Sequence, residues 1–256
     1  MRYRTALVTG ASKGIGTYFA AELAEAGTSL VLVARRVELL ENLAGELRER
    51  FQVEVEVLPA DLTDPDALTT VQERLADPER PVDLLVNNAG ALTTGPFAQL
   101  PLNGEIRQLE LNVMALVRLT HSALGPMVVR GRGGVVNVSS IAGEAPTPYS
   151  ATYCAGYAFV TNFSQGVHME VAEHGVHVTA LLPGFTAPGA DGPRIQHPRQ
   201  VVREALGALV AGKPLCIPGG RNKAAAAFAR LAPRGVVRSV MEGVASAGAP
   251  TEAARS

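Results

Sequence analysis

The chain has 256 residues, of which 47% are hydrophobic and 18% charged, and its formal net charge is −1. This length is sufficient for one α/β domain with a full core, since single domains of about 200–250 residues are common. The near-neutral charge predicts no nucleic-acid binding, and the absence of any apolar run near about 18 residues excludes a membrane span. Two cysteines, Cys154 and Cys216, are too few for a disulfide scaffold, and no signal peptide precedes the first apolar run, so we expect a cytoplasmic protein.

Short apolar runs alternate with helical patterns along the chain. We predict strands at Thr5–Thr9, Ser29–Ala34, Val53–Leu58, Asp83–Asn87, Gly134–Ser139, Val176–Leu182 and Leu215–Pro218. Helical patterns lie between them, near 15–26, 37–50, 65–76, 104–129, 150–173 and 198–211. This alternation predicts parallel β-α-β units, whose strands are buried on both faces. The expected fold is α/β: a Rossmann-type doubly wound parallel sheet of about seven strands with helices on both faces.

No linker or internal repeat divides the sequence, so residues 1–256 are expected to form a single domain. Its C-terminal tail, residues 221–256, contains two apolar segments, Ala224–Leu231 and Val236–Val244, separated by Pro233. We expect two short helices that cap the core or cover a substrate entrance. Contact with a membrane surface is the alternative.

A glycine-rich loop, TGASKGIG at 9–16, follows the first strand and opens the first helix. Glycines permit a tight turn and let backbone N–H groups approach a pyrophosphate at a helix N-terminus. A strand before and a helix after the loop are the context that a dinucleotide-binding fingerprint requires. We therefore predict cofactor contacts at Gly10, Ser12, Lys13, Gly14, Ile15 and Gly16. A tight turn without a ligand is the alternative.

The end of the second strand indicates which nicotinamide cofactor is bound. The acidic residue that usually binds the ribose is missing, and Arg35 and Arg36 stand there instead. Together with Lys13, these arginines suit a 2′-phosphate, which predicts NADP(H) in preference to NAD(H). A surface arginine pair without a ligand is the alternative.

From about Arg4 to Gly220 the chain resembles the short-chain dehydrogenase/reductase family. The loop at 9–16 matches the family's cofactor loop, NNAG at 87–90 matches its strand-four motif, and Pro183-Gly184 matches its motif after strand six. The resemblance implies further cofactor contacts at Asp61, Leu62, Asn88, Ala89, Gly90, Pro183 and Gly184. It also implies a homodimer or homotetramer, because the helices near 104–129 and 150–173 pair across subunits in this family.

The resemblance also implies a catalytic group of Asn, Ser, Tyr and Lys, of which three can be placed. These are Asn112 for a water relay, Ser140 for the substrate oxygen and Tyr153 as the acid/base. The lysine position, four residues after Tyr153, is occupied by Tyr157. A free tyrosine has a pKa of about 10, and a neighbouring cation lowers such a pKa by about 1–3 units. Without that cation we expect weakened dehydrogenase chemistry that is biased toward reduction.

Other residues follow these motifs on the substrate side. Glu144 is either a solvated loop carboxylate or a replacement acid/base, while Thr147 and Tyr149 are expected to shape the substrate pocket. In the segment 187–199, Pro188 stands where relatives have a threonine that contacts the carboxamide, and Thr186 is the available substitute. This segment is either a flexible loop or part of substrate entry. The histidines lack ligand spacing, so no metal site is predicted.

Three functions remain open from the sequence. The first is an atypical NADP(H)-dependent oxidoreductase that reduces a ketone or aldehyde, with Tyr153 as the proton donor. The second is a non-redox enzyme on the same scaffold that catalyses a cyclisation, dehydration or isomerisation, using Tyr153, Tyr157, Ser140 and Glu144. The third is a catalytically silent NADP-binding protein. The substrate is a small molecule in either enzymatic case.

Overall fold

The computed structural model describes residues 3–186 and 196–248. Seven strands form one sheet: β1 (Thr5–Thr9), β2 (Ser29–Ala34), β3 (Val55–Pro59), β4 (Leu84–Asn87), β5 (Gly133–Val138), β6 (Val176–Leu181) and β7 (Leu215–Cys216). All neighbouring strands are parallel, and their order is β3-β2-β1-β4-β5-β6-β7. Strands β1 to β3 are added toward one side of the sheet and β4 to β7 toward the other, so the strand order switches between β1 and β4. In open α/β sheets, ligands bind at this switch point.

The described helices cover both faces of this sheet. They are α1 (Ile15–Glu25), α2 (Val37–Phe51), α3 (Pro65–Ala76), α4 (Leu102–Leu109), α5 (Leu116–Arg130), α6 (Ala151–Val171), α7 (Pro198–Val210), α8 (Gly220–Leu231) and α9 (Arg234–Gly248). A π-helical segment, Glu110–Ala115, joins α4 to α5, and short 3-10 turns lie at Phe97–Gln99, Ile141–Glu144 and Ala172–His174.

Two apolar layers pack against opposite faces of the sheet. On one face, Val8 of β1 packs with Phe19 of α1 and Leu40 of α2. On the other, the adjacent Leu7 packs with Val71 of α3 and Leu119 of α5. Because successive strand residues point to opposite faces, β1 must be apolar at both positions, as expected for a strand buried on both sides. The predicted single-domain doubly wound fold is confirmed.

The structure corrects some of the predicted boundaries. Strand β3 begins at Val55 instead of Val53, because Gln52 ends α2 in a left-handed conformation (φ 55°) and the pairing with β2 starts at Leu30–Val55. Strand β7 ends at Cys216, two residues before Pro218, which lacks the N–H needed to continue a ladder.

The helix predicted at 104–129 is also different. It begins at Leu102, and the π-helical segment interrupts it around Asn112. The Asn112 side chain donates to the Ala91 carbonyl and accepts from the Ala91 N–H, both at 2.8 Å. The amide–backbone pair thus ties the helix to the chain that leaves β4.

The two predicted tail helices are present and are longer than expected. The start of helix α8 packs against the chain that follows β6. A Cβ on Gly184 would lie 2.5 Å from the Asn222 side chain. Pro233 lies between α8 and α9, as predicted. No helix in the described part of the chain is long and apolar enough to cross a membrane. Pro188 and most of the segment 187–199 fall within residues 187–195, outside the described residues.

Candidate active site

The glycine loop turns sharply between β1 and α1. Gly10 and Gly14 have φ values of +64° and +60°, a conformation that side chains rarely tolerate. A Cβ on Gly16 would lie 2.4 Å from the Gly10 carbonyl oxygen, so no larger residue fits there. Beside Gly14, by contrast, a Cβ would meet nothing within 4 Å. The loop is therefore tight within itself and open toward the edge of the sheet where the strands end.

The end of β4 holds this loop in place. Asn88 donates from Nδ2 to the carbonyl of Thr9 at 3.0 Å and to that of Gly10 at 3.3 Å. The Thr9 hydroxyl oxygen accepts from the backbone N–H groups of Asn88 and Ala89. Thr9 belongs to the loop motif, but its role as the anchor of β4 was not predicted. The two predicted cofactor segments, 9–16 and 88–90, lie directly against each other.

Cationic side chains surround the ends of β2 and β3. Lys13, Arg35 and Arg36 are exposed, and Arg36 reaches the Ser12 hydroxyl, with Nη2 3.5 Å from Oγ. This places a guanidinium beside the glycine loop. The two arginines and Lys13 are thus available at one edge of the predicted cofactor site.

Asp61, predicted to contact the cofactor, has both carboxylate oxygens engaged. Thr63 donates to Oδ1 through its backbone N–H and its hydroxyl, and Arg107 donates to Oδ2 at 2.6 Å. Burial raises the pKa of Asp61, but the Thr63 hydrogen bonds and the charges of Arg107 and Arg35 lower it further than burial raises it. Arg107, on α4, was not singled out in the sequence, because nothing local connects it to Asp61.

Two tyrosines on successive turns of α6 form the centre of the predicted reaction site. The rings of Tyr153 and Tyr157 meet edge to face, with centroids 4.6 Å apart and planes at 85°. Burial raises the pKa of Tyr153, and hydrogen bonding with Ser140 and Tyr157 offsets only part of this increase. Burial also raises the pKa of Tyr157, and the neighbouring Tyr153 raises it further. Both phenols are therefore protonated at neutral pH.

The Tyr157 hydroxyl reaches the strand-four motif. A Cβ on Gly90 would lie 2.8 Å from this hydroxyl and 3.5 Å from Oδ1 of Asn112. Only a glycine at position 90 leaves room for the tyrosine ring in this orientation. The structure thereby brings Gly90, Asn112 and Tyr157 together, although the Asn112 side chain is already bonded to Ala91.

Ser140 begins the loop on the substrate side. Its hydroxyl oxygen accepts from the Ala142 N–H at 3.1 Å and caps the short turn Ile141–Glu144. The hydroxyl proton remains available for Tyr153 or for a substrate oxygen. The preceding Ser139 is buried and contacts the Tyr157 carbonyl and the Thr161 hydroxyl, both at 2.9 Å. Of the two serines, Ser140 is the one that lies next to the phenol of Tyr153.

Of the two alternatives for Glu144, the solvated loop carboxylate is wrong, and the replacement acid/base stays a prediction. Its side chain is only 7% exposed, and Arg230 of α8 binds both oxygens, with Nε–Oε2 at 2.5 Å and Nη2–Oε1 at 2.9 Å. A carboxylate held by a bidentate guanidinium has both oxygens occupied by charged hydrogen bonds instead of water. The sequence could not show this pairing, because Arg230 lies 86 positions away.

A cavity of about 550 Å³ lies beside this loop. Its wall is mostly apolar, with alanines and prolines from 143–148 and α6, and Arg238 at one side. Thr147 lines this cavity, whereas Ser140, Tyr153 and Tyr157 do not. Tyr149 does not line it; this side chain is 48% exposed, and its backbone has φ +66° and accepts a hydrogen bond from the Gly95 N–H.

Thr186, the predicted substitute for the missing threonine, has a partner within its own loop. Its hydroxyl donates to the Gly184 carbonyl at 3.0 Å. Pro183 is buried, and Gly184 packs against Asn222. The motif after β6 therefore fixes the start of α8 as well as the edge of the predicted cofactor site.

Sequence analysis missed a buried polar chain under the site. Asn87 donates to Thr120 at 3.0 Å and to Asn137 at 2.9 Å, and Asn137 donates to Ser164 at 2.9 Å. Asn87 and Asn137 are direct partners in the β4–β5 register. A polar residue at the same point of two adjacent apolar strands was the available signal. These hydrogen bonds connect α5 and α6 to the sheet and hold α6, which carries the two tyrosines, in position.

Residues 3–186 and 196–248 contain no group of three His, Cys, Asp or Glu side chains arranged to hold a metal ion.

Comparison with known proteins identifies the family. Residues 4–198 match the family model for short chain dehydrogenases. The chain belongs to the short-chain dehydrogenase/reductase family. It is 35% identical over 217 residues to very-long-chain 3-oxoacyl-CoA reductase of Anas platyrhynchos, covering 80% of this chain and 68% of that protein.

Two further relatives bear on the chemistry. Sulfoacetaldehyde reductase 2 of Chromohalobacter salexigens is 39% identical over 181 residues, covering 70% of this chain and 71% of that protein. Among solved structures, a short-chain dehydrogenase from Sphingobium yanoikuyae in complex with NADPH has a TM-score of 0.81 and 35% identity, and 98% of each chain is covered. This chain is therefore similar to reductases and to a protein that binds NADPH through the same fold.

Proposed function

We propose that the protein is an NADP(H)-dependent reductase of ketones or aldehydes, with Tyr153 as the proton donor. The observation that carries the proposal is the hydroxyl cluster of Ser140, Tyr153 and Tyr157 at the edge of the sheet where the glycine loop also opens. A carbonyl placed there would meet two O–H donors. Membership of an oxidoreductase family and similarity to two named reductases support this choice of reaction.

The residues present fit a nicotinamide dinucleotide. The open side of Gly14 and the close packing of Gly10 and Gly16 leave backbone N–H groups free of obstruction by side chains. Arg35, Arg36 and Lys13 would hold the 2′-phosphate, and Asp61, Asn88, Ala89 and the Pro183-Gly184 motif would line the rest. When bound, NADPH supplies the hydride for carbonyl reduction. The exposed arginine pair, in place of an acidic residue, favours NADP(H) over NAD(H).

The protein's own contribution is proton transfer and charge stabilisation. As the carbonyl carbon is reduced, its oxygen takes the proton from the Tyr153 hydroxyl, which becomes a phenolate. The hydroxyls of Ser140 and Tyr157 then donate to that phenolate or to the developing alkoxide. We assign Tyr157 to the position of the family lysine, so no adjacent cation stabilises the phenolate. The reaction is therefore slow, and alcohol oxidation, which must begin from the phenolate, is slower still.

The protonated tyrosine pair also favours a second candidate. Both phenols stay protonated and can donate hydrogen bonds to a substrate oxygen, which is compatible with cyclisation, dehydration or isomerisation, although their raised pKa values make them weak acids. In that case the nucleotide would have a structural role. A catalytically silent NADP-binding protein is the third candidate.

The cavity beside 143–148 is mostly apolar and lies next to the proposed reaction site, although Ser140, Tyr153 and Tyr157 do not line it. About 550 Å³ accommodates a small hydrophobic molecule or part of a longer one, and its lining offers few polar groups. The relative from Anas platyrhynchos is named for very-long-chain 3-oxoacyl-CoA, which carries a long apolar chain. We propose apolar ketones as the first substrates to test.

Assembly and location follow from the same resemblance. Exposed Met114, Phe159 and Met169 lie on or beside the helices that pair across subunits in the family, which supports a homodimer or homotetramer. Both cysteines are buried and not joined in a disulfide, which is compatible with a reducing cytoplasm.

Calorimetric titration with NADPH, NADP and NADH tests the cofactor assignment first. We expect micromolar binding of NADPH and weaker binding of NADH. Binding followed by consumption of NADPH with apolar ketones supports the reductase. Binding without turnover on a broad carbonyl panel would instead favour the silent protein. Failure to bind any nicotinamide would overturn the reductase and leave the non-redox enzyme.

A further inference from the structure

Arg35 and Asp61 leave neighbouring strands side by side. Strands β2 and β3 are parallel, with Ala34 opposite Pro59, and the Ala60 N–H donates to the Ala34 carbonyl at 3.0 Å. Arg35 and Asp61 are the next residues of the two chain segments. A carboxylate therefore lies beside one of the arginines that we propose for the 2′-phosphate.

This carboxylate is charged at neutral pH. Burial raises the pKa of Asp61, and the hydrogen bonds from Thr63 oppose this increase. The charges of Arg107 and Arg35 lower the pKa further, to below its ordinary value. An ionised carboxylate repels a phosphate and attracts the guanidinium that would bind the phosphate. Left without another cation, Asp61 would weaken the arginine site.

Arg107 of α4 supplies the other cation. Its Nη2 lies 2.6 Å from Oδ2 of Asp61. The other oxygen, Oδ1, accepts from the Thr63 backbone N–H at 3.1 Å and from the Thr63 hydroxyl at 2.8 Å. Both oxygens of Asp61 are thus occupied, which leaves the exposed guanidinium of Arg35 for another anion.

The charges at this edge of the sheet then suit a phosphate. Asp61 and Arg107 form a pair without net charge, and Lys13, Arg35 and Arg36 are exposed cations near it. A 2′-phosphate carries negative charge, whereas the same position of NADH has only a hydroxyl. The state of Asp61 therefore affects binding of NADPH more than binding of NADH.

The next carboxylates along these two chain segments begin helices. Asp64 caps α3, and its Oδ1 accepts from the N–H groups of Asp66 and Ala67. Glu38 lies in the first turn of α2, where a negative charge interacts favourably with the helix N-terminus. Neither carboxylate depends on Arg107, so the charge that Arg107 neutralises is that of Asp61.

We propose that Arg107 is a positioning residue for NADP(H) selectivity, which binds Asp61 and so keeps its carboxylate from Arg35 and from the 2′-phosphate. The inference rests on the proposed function, because it requires that this site binds NADP(H). Arg107 acts through Asp61 and needs no contact with the cofactor. The alternative is a purely structural link between α4 and the chain that follows β3.

Calorimetric titration of Arg107→Met with NADPH and NADH tests the proposal. We measure the preference for NADPH as the ratio of the Kd for NADH to the Kd for NADPH. The ratio should fall by about threefold to tenfold, because the variant leaves an unpaired carboxylate near the phosphate in a partly exposed site. At about 1 M salt, where the Debye length is about 3 Å, this difference should shrink.

Neutralising Asp61 separates the electrostatic role from a structural one. The double variant Arg107→Met, Asp61→Asn again has no net charge at the pair, so its ratio should return to about the wild-type value even if both Kd values change. Asp61→Asn alone leaves the charge of Arg107 unopposed and should raise the ratio above that of the wild type. A purely structural link would not produce this order.

Arg50→Met is the matched control. Arg50 forms an exposed pair with the same separation, with Nη1 2.6 Å from Oε1 of Glu46, but near the end of α2 opposite to Arg36. This variant should bind both cofactors as the wild type does.

The outcomes distinguish this proposal from the proposed function. Equal weakening of NADPH and NADH in Arg107→Met, no change in either, or a ratio that Asp61→Asn does not restore overturns the role of Arg107. Wild-type preference for NADPH would then still support the proposed function. A wild-type protein that binds neither dinucleotide overturns the proposed function, and the role of Arg107 with it.

Discussion

The ring of Tyr157 meets the ring of Tyr153 nearly at a right angle, with 4.6 Å between the centroids. This contact places a second phenol, not a cation, beside the phenol that we propose as the proton donor. Burial raises the pKa values of both phenols. For Tyr153, the hydrogen bond with Tyr157 offsets only part of this increase. The weak point of the site is therefore the stabilisation of a phenolate at Tyr153.

Replacing Tyr157 with lysine is predicted to strengthen the reductase. A cation at this position would lower the pKa of Tyr153. Each unit of pKa makes the phenol about tenfold more acidic and, at neutral pH, its phenolate about tenfold more abundant. We expect kcat/KM for carbonyl reduction with NADPH to rise at least about tenfold in Tyr157→Lys, and alcohol oxidation to become measurable. The pH profile of oxidation should shift toward neutral pH.

Tyr157→Met is the matched control for this prediction. Methionine has a long unbranched side chain, as lysine does, but it supplies neither a charge nor a hydroxyl. It should reduce activity below that of the wild type, because the Tyr153 phenolate loses a hydrogen bond. Equal activity of the Lys and Met variants would show that charge at this position does not matter.

Arg36→Ser is predicted to weaken NADPH binding selectively. A charged hydrogen bond contributes about 1.5–3 kcal/mol, so the Kd for NADPH should increase by about 10–100-fold. The Kd for NADH should change little, because NADH has no 2′-phosphate. Calorimetry measures both values, and Arg50→Ser on α2 is the control. Equal weakening of both cofactors would contradict the assignment of Arg36.

Breaking the Glu144–Arg230 pair is predicted to destabilise the fold without removing an acid/base. Arg230→Met leaves a carboxylate that is 7% exposed without its bidentate partner. Because Arg230 itself is 43% exposed, we expect a loss of about 1–3 kcal/mol in the free energy of unfolding. Urea denaturation measures this loss. Glu144→Gln, which preserves the size of the side chain, should retain the pH dependence of turnover; a lost ionisation would restore Glu144 as an acid/base.

Glu22 is predicted to contribute stability that is lost in acid. Burial raises the pKa of this α1 carboxylate, but hydrogen bonds from Arg203 and Arg199 of α7 lower it below the usual 4.5. A lowered folded-state pKa contributes stability above the unfolded-state pKa, and that stability disappears as the pH falls through the folded-state value.

Glu22→Gln should therefore cost about 0.5–1 kcal/mol at neutral pH, since both arginines are partly exposed, and should flatten the decline in stability below about pH 4.5. Thermal melts across this pH range compare it with Glu49→Gln, an exposed carboxylate of α2. An unchanged acid slope in Glu22→Gln would show that the carboxylate does not gain stability from α7.

The sequence predicted the features that depend on local chemistry. Alternating apolar runs predicted the doubly wound sheet, and Gly10, Gly14 and Gly16 predicted the tight turn that the structure has there. The position of Ser140 beside Tyr153 also followed from the resemblance, because strand ends and helix starts are fixed by the fold.

Features that depend on distant partners could not be predicted. Glu144 pairs with Arg230, and Asp61 pairs with Arg107, across 86 and 46 positions. The π-helical segment at Asn112 depends on a hydrogen bond to Ala91 on another element. The local pattern of apolar and polar residues does not indicate which charged side chains will pair, because such pairs contribute little to the burial pattern of either element.

The most direct test of the proposed reaction is isotope transfer. Wild-type protein is incubated with an apolar ketone and NADPH deuterated at C4, and the product is analysed by mass spectrometry. We predict an alcohol that carries one deuterium, formed about 10²–10⁴-fold more slowly by Tyr153→Phe. A cyclised, dehydrated or isomerised product without deuterium, formed while NADPH is not consumed, would contradict the reductase and establish proton-transfer chemistry at the tyrosine pair.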